Sequence, residues 1–131
     1  MTGVDTNVLV RYFVRDEPEQ FDRVMRFLGR ATRANEPVWI SGIVLCELAW
    51  VLDSLYGRSR EEILAAIDGL MSAEPFRVES ADAVRSAVET ARKGKGGFAD
   101  HLIAELNRAS GCGVTVTFDR ALARDPRFAP L

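Results

Sequence analysis

The chain has 131 residues, of which 47% are hydrophobic, and its formal net charge is −2 at pH 7. This length and composition predict one globular domain over residues 1–131, and the charge excludes a uniformly basic surface, so any nucleic acid must be bound locally. No run of about 18 apolar residues occurs, and no basic N-terminal region leads into an apolar segment, which predicts a cytoplasmic protein without a membrane span or secretory signal.

The first half of the chain alternates short helix and strand patterns. Val4 and Asp5 precede a short helix predicted near Val8 to Val14, and Pro18 begins a second helix. One face of that second helix is apolar, with Phe21, Val24, Met25, Leu28 and Ala31. A strand is predicted over residues 37–41, followed by a long apolar helix that ends at Gly57.

The second half continues the alternation. Ser59 and Glu62 form a capping-box pattern ahead of an apolar helix that carries Ile63, Leu64, Ile67, Leu70 and Met71. A short strand over 76–78 precedes a helix capped by Ser80, and residues 94–97 (GKGG) form a flexible loop. A helix over 98–110 and a strand over 114–118 follow.

Short strands separated by helices predict a parallel sheet, because parallel neighbours need crossover connections. The predicted fold class is therefore α/β, a three-layer α/β/α sandwich with a short-stranded parallel central sheet. Ligands of such sheets bind beyond the carboxyl ends of the strands. Asp5 and Asp119 each follow a predicted strand, although helix capping alone also explains an aspartate at either position.

Two further acids have unusually apolar surroundings in the sequence. Glu47 is the single polar residue between Ile43 and Leu52, so we expect it to be buried, with something positive facing it. Asp100 has Ile103 and Ala104 on its side of a helix. The alternative is a first-turn aspartate favoured by the helix dipole, but a ligand is favoured because the preceding glycines leave room for one to approach.

Four carboxylates gathered at one sheet edge would repel one another unless hard cations held them together. Sites made of oxygen ligands alone select Mg²⁺ or Mn²⁺, and such ions orient phosphodiesters and activate water. The sequence therefore predicts a metal site formed by Asp5, Glu47, Asp100 and Asp119.

Arginine dominates the basic residues, with 15 of the 17. Its planar guanidinium matches phosphate oxygens two at a time, which suits nucleic acid. A bias in genome composition would produce the same excess, so this observation alone decides nothing.

Four stretches resemble, in order and spacing, the PIN-domain ribonucleases, most closely the VapC toxins of bacterial toxin–antitoxin pairs. They are VDTNVLVRYF (4–13), LCELAWVL (45–52), GFADHLIAELN (97–107) and VTVTFD (114–119). The resemblance spans the whole chain. It implies an acidic site of Asp5, Glu47, Asp100 and Asp119, with Asn7 and Thr117 as supporting polar residues, whereas His101 has no place in the pattern.

The resemblance also implies an activity and partners. A metal-bound water would attack an RNA phosphodiester in line, with Asp5 and Asp100 as the direct ligands of Mg²⁺ or Mn²⁺ and with Glu47 and Asp119 completing the site. A cognate VapB-like antitoxin would block the site, and the toxin would form a homodimer. The apolar faces of the helices after Pro18 and Ser59 would form a groove for an amphipathic antitoxin helix, unless both faces simply pack on the sheet.

Two other functions fit parts of the sequence. An aspartyl phosphatase of haloacid-dehalogenase type also places an aspartate after its first strand, but it needs a second aspartate where this chain has Asn7. A catalytically inert binding domain or phosphoacceptor receiver of similar fold is the non-enzymatic alternative. Serine, cysteine and P-loop chemistries are disfavoured, because the chain has one His and neither a nucleophile elbow nor a complete P-loop.

Overall fold

The computed structural model describes all of residues 1–131 and divides them into two compact units, residues 1–81 and 82–131. The first unit contains β1 (Thr2–Gly3), α1 (Thr6–Phe13), α2 (Pro18–Arg33), β2 (Val38–Ile40), α3 (Gly42–Ser54), α4 (Arg60–Ser72) and β3 (Phe76–Val78). From the unit boundary onward come α5 (Ala81–Lys93), α6 (Phe98–Ala109), β4 (Thr115–Thr117), a 3-10 helix (Leu122–Arg124) and β5 (Phe128–Pro130). The prediction of one domain over residues 1–131 stays a prediction.

The first unit is built on a three-stranded parallel sheet in the order β1-β2-β3. Val38 and Ile40 of the central strand are fully buried. Because the strands are parallel, their carboxyl ends lie at one edge, where Asp5, Ser41 and Glu79 follow them. The predicted α/β class with parallel strands is confirmed.

The apolar faces of α2 and α4 lie mostly in the core. Val24, Leu28 and Ala31 of α2 cluster with Val38, and Ile67 and Leu70 of α4 are completely buried. Of the residues predicted to line an antitoxin groove, Met25 alone is exposed, at 43%. Both faces are therefore apolar mainly because they pack on the chain itself.

The second unit contains a two-stranded sheet in which β4 and β5 pair in parallel. Ala104 of α6, Leu122 of the 3-10 helix and Phe128 of β5 form its apolar cluster. The sequence predicted β4 but not β5, whose three residues include a proline.

Most of the predicted helix boundaries are observed. Both hydrogen bonds of the Ser59–Glu62 capping box are present, and Gly57 and Gly111 have φ values of 60° and 94°, as expected of residues that follow helices. The prediction that Ser80 caps α5 was wrong. Ser80 has φ 49° and no capping hydrogen bond, because its backbone turns through the left-handed region instead of the extended region typical of an N-cap. None of the helices combines the length and apolar composition needed to cross a membrane.

Candidate functional site

Asp5 lies just beyond β1 and begins α1 as its N-cap. Its Oδ1 accepts a hydrogen bond from the Val8 amide at 3.2 Å, and its side chain is exposed. Its Oδ2 has no partner. Asp5 therefore caps α1, which is one of the two roles that the sequence predicted for it. The cap fixes the side chain and leaves Oδ2 free for a ligand.

Glu47 lies in the middle of α3, and the expectation that it is buried was wrong. Its side chain is exposed and makes no hydrogen bond or ion pair. Ile43 and Trp50, one helical turn to either side, are themselves 73% and 64% exposed. The apolar neighbours thus form an exposed surface around the carboxylate, and no buried charge needs compensation.

The position of α3 depends on an acid that the sequence did not single out. Glu79, directly after β3, accepts a hydrogen bond from the Gly42 amide at 2.8 Å, and Ser41 accepts one from Val44. Both side chains satisfy amides at the N-terminus of α3. The signal available in the sequence was an acid immediately after a strand, the same signal that identified Asp5.

Asp100 lies in the first turn of α6, and its Oδ2 accepts a hydrogen bond from the Gly97 amide at 2.9 Å. Gly96 packs against it with φ 84°. A Cβ there would lie 3.0 Å from Asp100 Oδ2 and 2.5 Å from a methyl carbon of Leu122. The glycine therefore permits close packing of the 94–97 loop on Asp100, where the sequence suggested room for a ligand.

Asp119 follows β4 and organises the turn after it. Its Oδ1 accepts hydrogen bonds from the amides of Ala121 (2.8 Å) and Leu122 (3.2 Å). The Thr117 hydroxyl accepts one from the Asp119 amide at 3.0 Å. Since Gly96 contacts both Asp100 and Leu122, the second unit brings the loop beside Asp100 next to the turn that Asp119 orders.

The three aspartates share one arrangement, because each binds backbone amides through a single oxygen and leaves the other without a partner. Carboxylate oxygens held in this way suit Mg²⁺ or Mn²⁺ in donor chemistry. No group of three or more His, Cys, Asp or Glu side chains stands close enough to hold one ion. Within each unit, the structure thus shows carboxylates that are oriented by backbone amides.

His101, which had no predicted role, is 1% exposed and supports the loop beside Asp100. Arg127 can only donate, so His101 Nδ1 accepts from its Nη2 at 2.7 Å, and Nε2–H donates to the Lys95 carbonyl at 2.7 Å. Arg127 in turn forms ion pairs with Asp125 and Glu105 at 2.6 and 2.9 Å. The network fixes the histidine tautomer and fastens the loop.

Asn7, the other predicted supporting residue, lies on the wall of a groove of about 520 Å³ formed by α1 and α2. It is exposed and stands in the first turn of the helix that Asp5 caps. Its side-chain amide can therefore reach a molecule bound in this groove.

Comparison with known proteins identifies one family. The sequence model of the PIN domain matches residues 4–126, which include all four predicted acids. No curated protein matches the chain.

Proposed function

The chain belongs to the PIN-domain family, and on that premise we propose that it is an endoribonuclease that requires Mg²⁺ or Mn²⁺. PIN domains are generally nucleases and generally use divalent metal ions. The observation that carries the proposal is the shared arrangement of Asp5, Asp100 and Asp119. Side chains fixed through one oxygen, with the other free, are oriented before any ligand arrives.

In this proposal Asp5, Glu47, Asp100 and Asp119 hold the metal. When bound, a divalent ion neutralises charge on the phosphate and lowers the pKa of water. The chain's own contribution is orientation. The amides of Ala121 and Leu122 fix the Asp119 carboxylate, and the Thr117 hydroxyl accepts a hydrogen bond from the Asp119 backbone amide. The Gly97 amide fixes Asp100, and Asn7 would donate a hydrogen bond to the substrate.

We further propose that the protein is the toxin of a toxin–antitoxin pair and forms a homodimer. Exposed apolar side chains support a protein partner, because Ile43 and Trp50 flank Glu47 and a chain that covers them also covers the carboxylate. An arginine from that VapB-like partner, paired with the acids, would compete with the metal. Ile103 and Phe118, which are 49% and 82% exposed, are further apolar side chains that a dimer could cover.

The test of the nuclease is cleavage of transfer and ribosomal RNA by the purified protein with Mn²⁺ or with chelator. Chelator should abolish cleavage, and so should Asp5→Asn and Asp100→Asn. Both variants should stay folded, because an asparagine oxygen can accept the same backbone hydrogen bonds.

Asp53→Asn is the matched control, since Asp53 is exposed on α3 and makes no side-chain hydrogen bond. It should cleave RNA like the wild type. Undiminished cleavage in excess chelator would contradict the metal requirement. Loss of activity in the control would show that the assay reports general damage.

A further inference from the structure

A stripe of four arginines runs along the exposed side of α2. Arg23, Arg26, Arg30 and Arg33 follow one another at intervals of three or four residues, which places them on one helix face. All four are exposed, and none of their side chains forms a hydrogen bond or an ion pair. The helix dipole favours Arg30 and Arg33, which lie in the last turn of α2, but it gives no reason for Arg23 and Arg26. Like charges at this spacing also repel one another.

The stripe borders two depressions on the first unit. Arg23, Arg26 and Arg30 line the α1–α2 groove of about 520 Å³. A neighbouring depression of about 480 Å³ shares Arg26 and Arg30 and adds Arg33. Asp22 is the one acid that lines either of them, so both are strongly positive.

The groove also has an apolar part and a direction. Val8, Val24 and the half-buried Phe27 line it together with the arginines. One end of the groove is at Asn7, two residues after Asp5, which is a proposed metal ligand at the N-terminus of α1. The arginines line the groove beyond that end.

We propose that this arginine groove, defined by Arg23, Arg26, Arg30 and Arg33, binds the phosphodiester backbone of RNA on one side of the cleaved bond. The choice of RNA rests on the proposed ribonuclease function, because an RNA strand at Asp5 must continue beyond it. Guanidinium groups bind two phosphate oxygens at once, and the Phe27 ring offers a base a surface on which to stack. The groove thus supplies sequence-independent affinity to a protein whose net charge is negative.

The experiment measures binding of a labelled single-stranded RNA of mixed sequence by fluorescence anisotropy in chelator, where no cleavage occurs. The triple variant Arg23→Gln, Arg26→Gln, Arg30→Gln should bind at least about tenfold more weakly at low salt. The slope of log affinity against log salt should fall by about 2, since each single-strand phosphate contact contributes roughly 0.7.

A control variant with Arg77→Gln, Arg85→Gln and Arg108→Gln loses the same charge from exposed positions outside the groove. It should keep the wild-type affinity and salt slope. Equal weakening in both variants would overturn the inference in favour of net charge alone. Preferential binding of polyglutamate over RNA would overturn it in favour of an acidic peptide.

Cleavage in Mn²⁺ separates this inference from the function on which it rests. If wild type binds RNA through the arginines but cleaves none, the nuclease proposal fails and the groove stands. If the triple variant binds and cleaves like wild type, the groove fails and the nuclease stands.

Discussion

Glu47 shows at the scale of a single residue how an apolar neighbourhood in sequence differs from burial. Leu45 and Leu48, its near neighbours along the chain, are completely buried, whereas Trp50 is 64% exposed. The helix therefore keeps a buried side and an exposed apolar side, and Glu47 lies on the second. The buried side and the exposed side of this helix have the same apolar composition.

This arrangement predicts that two truncations in α3 change the free energy of unfolding by very different amounts. Trp50→Ala should change the free energy of unfolding by less than about 1 kcal/mol, because most of the ring is already in water. Leu48→Ala should lower it by about 2 to 5 kcal/mol, because the side chain is fully buried. Urea denaturation of both variants measures the difference.

Glu47→Gln completes the comparison. Because the carboxylate is exposed and unpaired, the substitution should keep the free energy of unfolding within about 0.5 kcal/mol of wild type. RNA cleavage should nevertheless be lost. A large loss of stability in Trp50→Ala would show that this face of α3 is already covered in the isolated protein and is not free for a partner.

At the scale of the element, local signals in the sequence predicted helices and parallel strands well. Proline at the start of α2, the capping box of α4 and the glycine after α3 are determined by neighbouring residues, so the chain itself reveals them. β5 is different, because its three residues pair with β4 across the intervening turn and have no alternation of their own. The apolar run in α3 likewise has no period from which its buried face could be read.

The same limit applies to the candidate site. Asp5 and Asp119 were predicted from their positions after strands, and the structure adds the amides that fix them. The network around His101 was not predictable, because Thr90, Glu105 and Arg127 belong to separate elements and only their packing joins them. Long-range polar contacts of this kind leave no local pattern.

That network predicts a pH dependence of stability. The hydrogen bonds from Arg127 lower the pKa of Asp125 from 3.8 to about 2. Since the folded pKa lies below the unfolded value, the contribution is fully present above about pH 4 and is lost as the pH falls through 2. It amounts to about 2 kcal/mol, and Asp125→Asn should remove it.

Urea denaturation of wild type and Asp125→Asn from about pH 6 down to pH 2 checks this expectation, because the gap in unfolding free energy should shrink steadily below pH 4. Asp82→Asn is the control, since the Asp82–Arg85 pair is exposed and screened by water. A gap that stays constant with pH would mean that Asp125 contributes through packing and not through its charge.

At the scale of the whole molecule, the proposals depend on one another. A PIN-domain nuclease with exposed, oriented carboxylates would cleave cellular RNA whenever metal is available, so a cell that contains it needs a means of covering Glu47 and the aspartates. The exposed Ile43 and Trp50 beside Glu47 provide an apolar surface for such a cover.

We therefore predict that the wild-type protein arrests growth when it is expressed alone, and that a small partner encoded beside it restores growth and co-purifies as a multimer built on a homodimer. Asp100→Asn should be harmless yet still bind the partner, because that substitution leaves the exposed Ile43 and Trp50 beside Glu47 unchanged. Trp50→Ala should stay toxic but escape the partner, since it removes the largest exposed contact beside Glu47 while the acids remain. Colony counts with and without the partner, together with size-exclusion chromatography of the complexes, measure these outcomes. Harmless high-level expression of wild type, with no co-purifying chain and no difference from Asp100→Asn, would contradict the toxin proposal even though the chain belongs to the PIN-domain family.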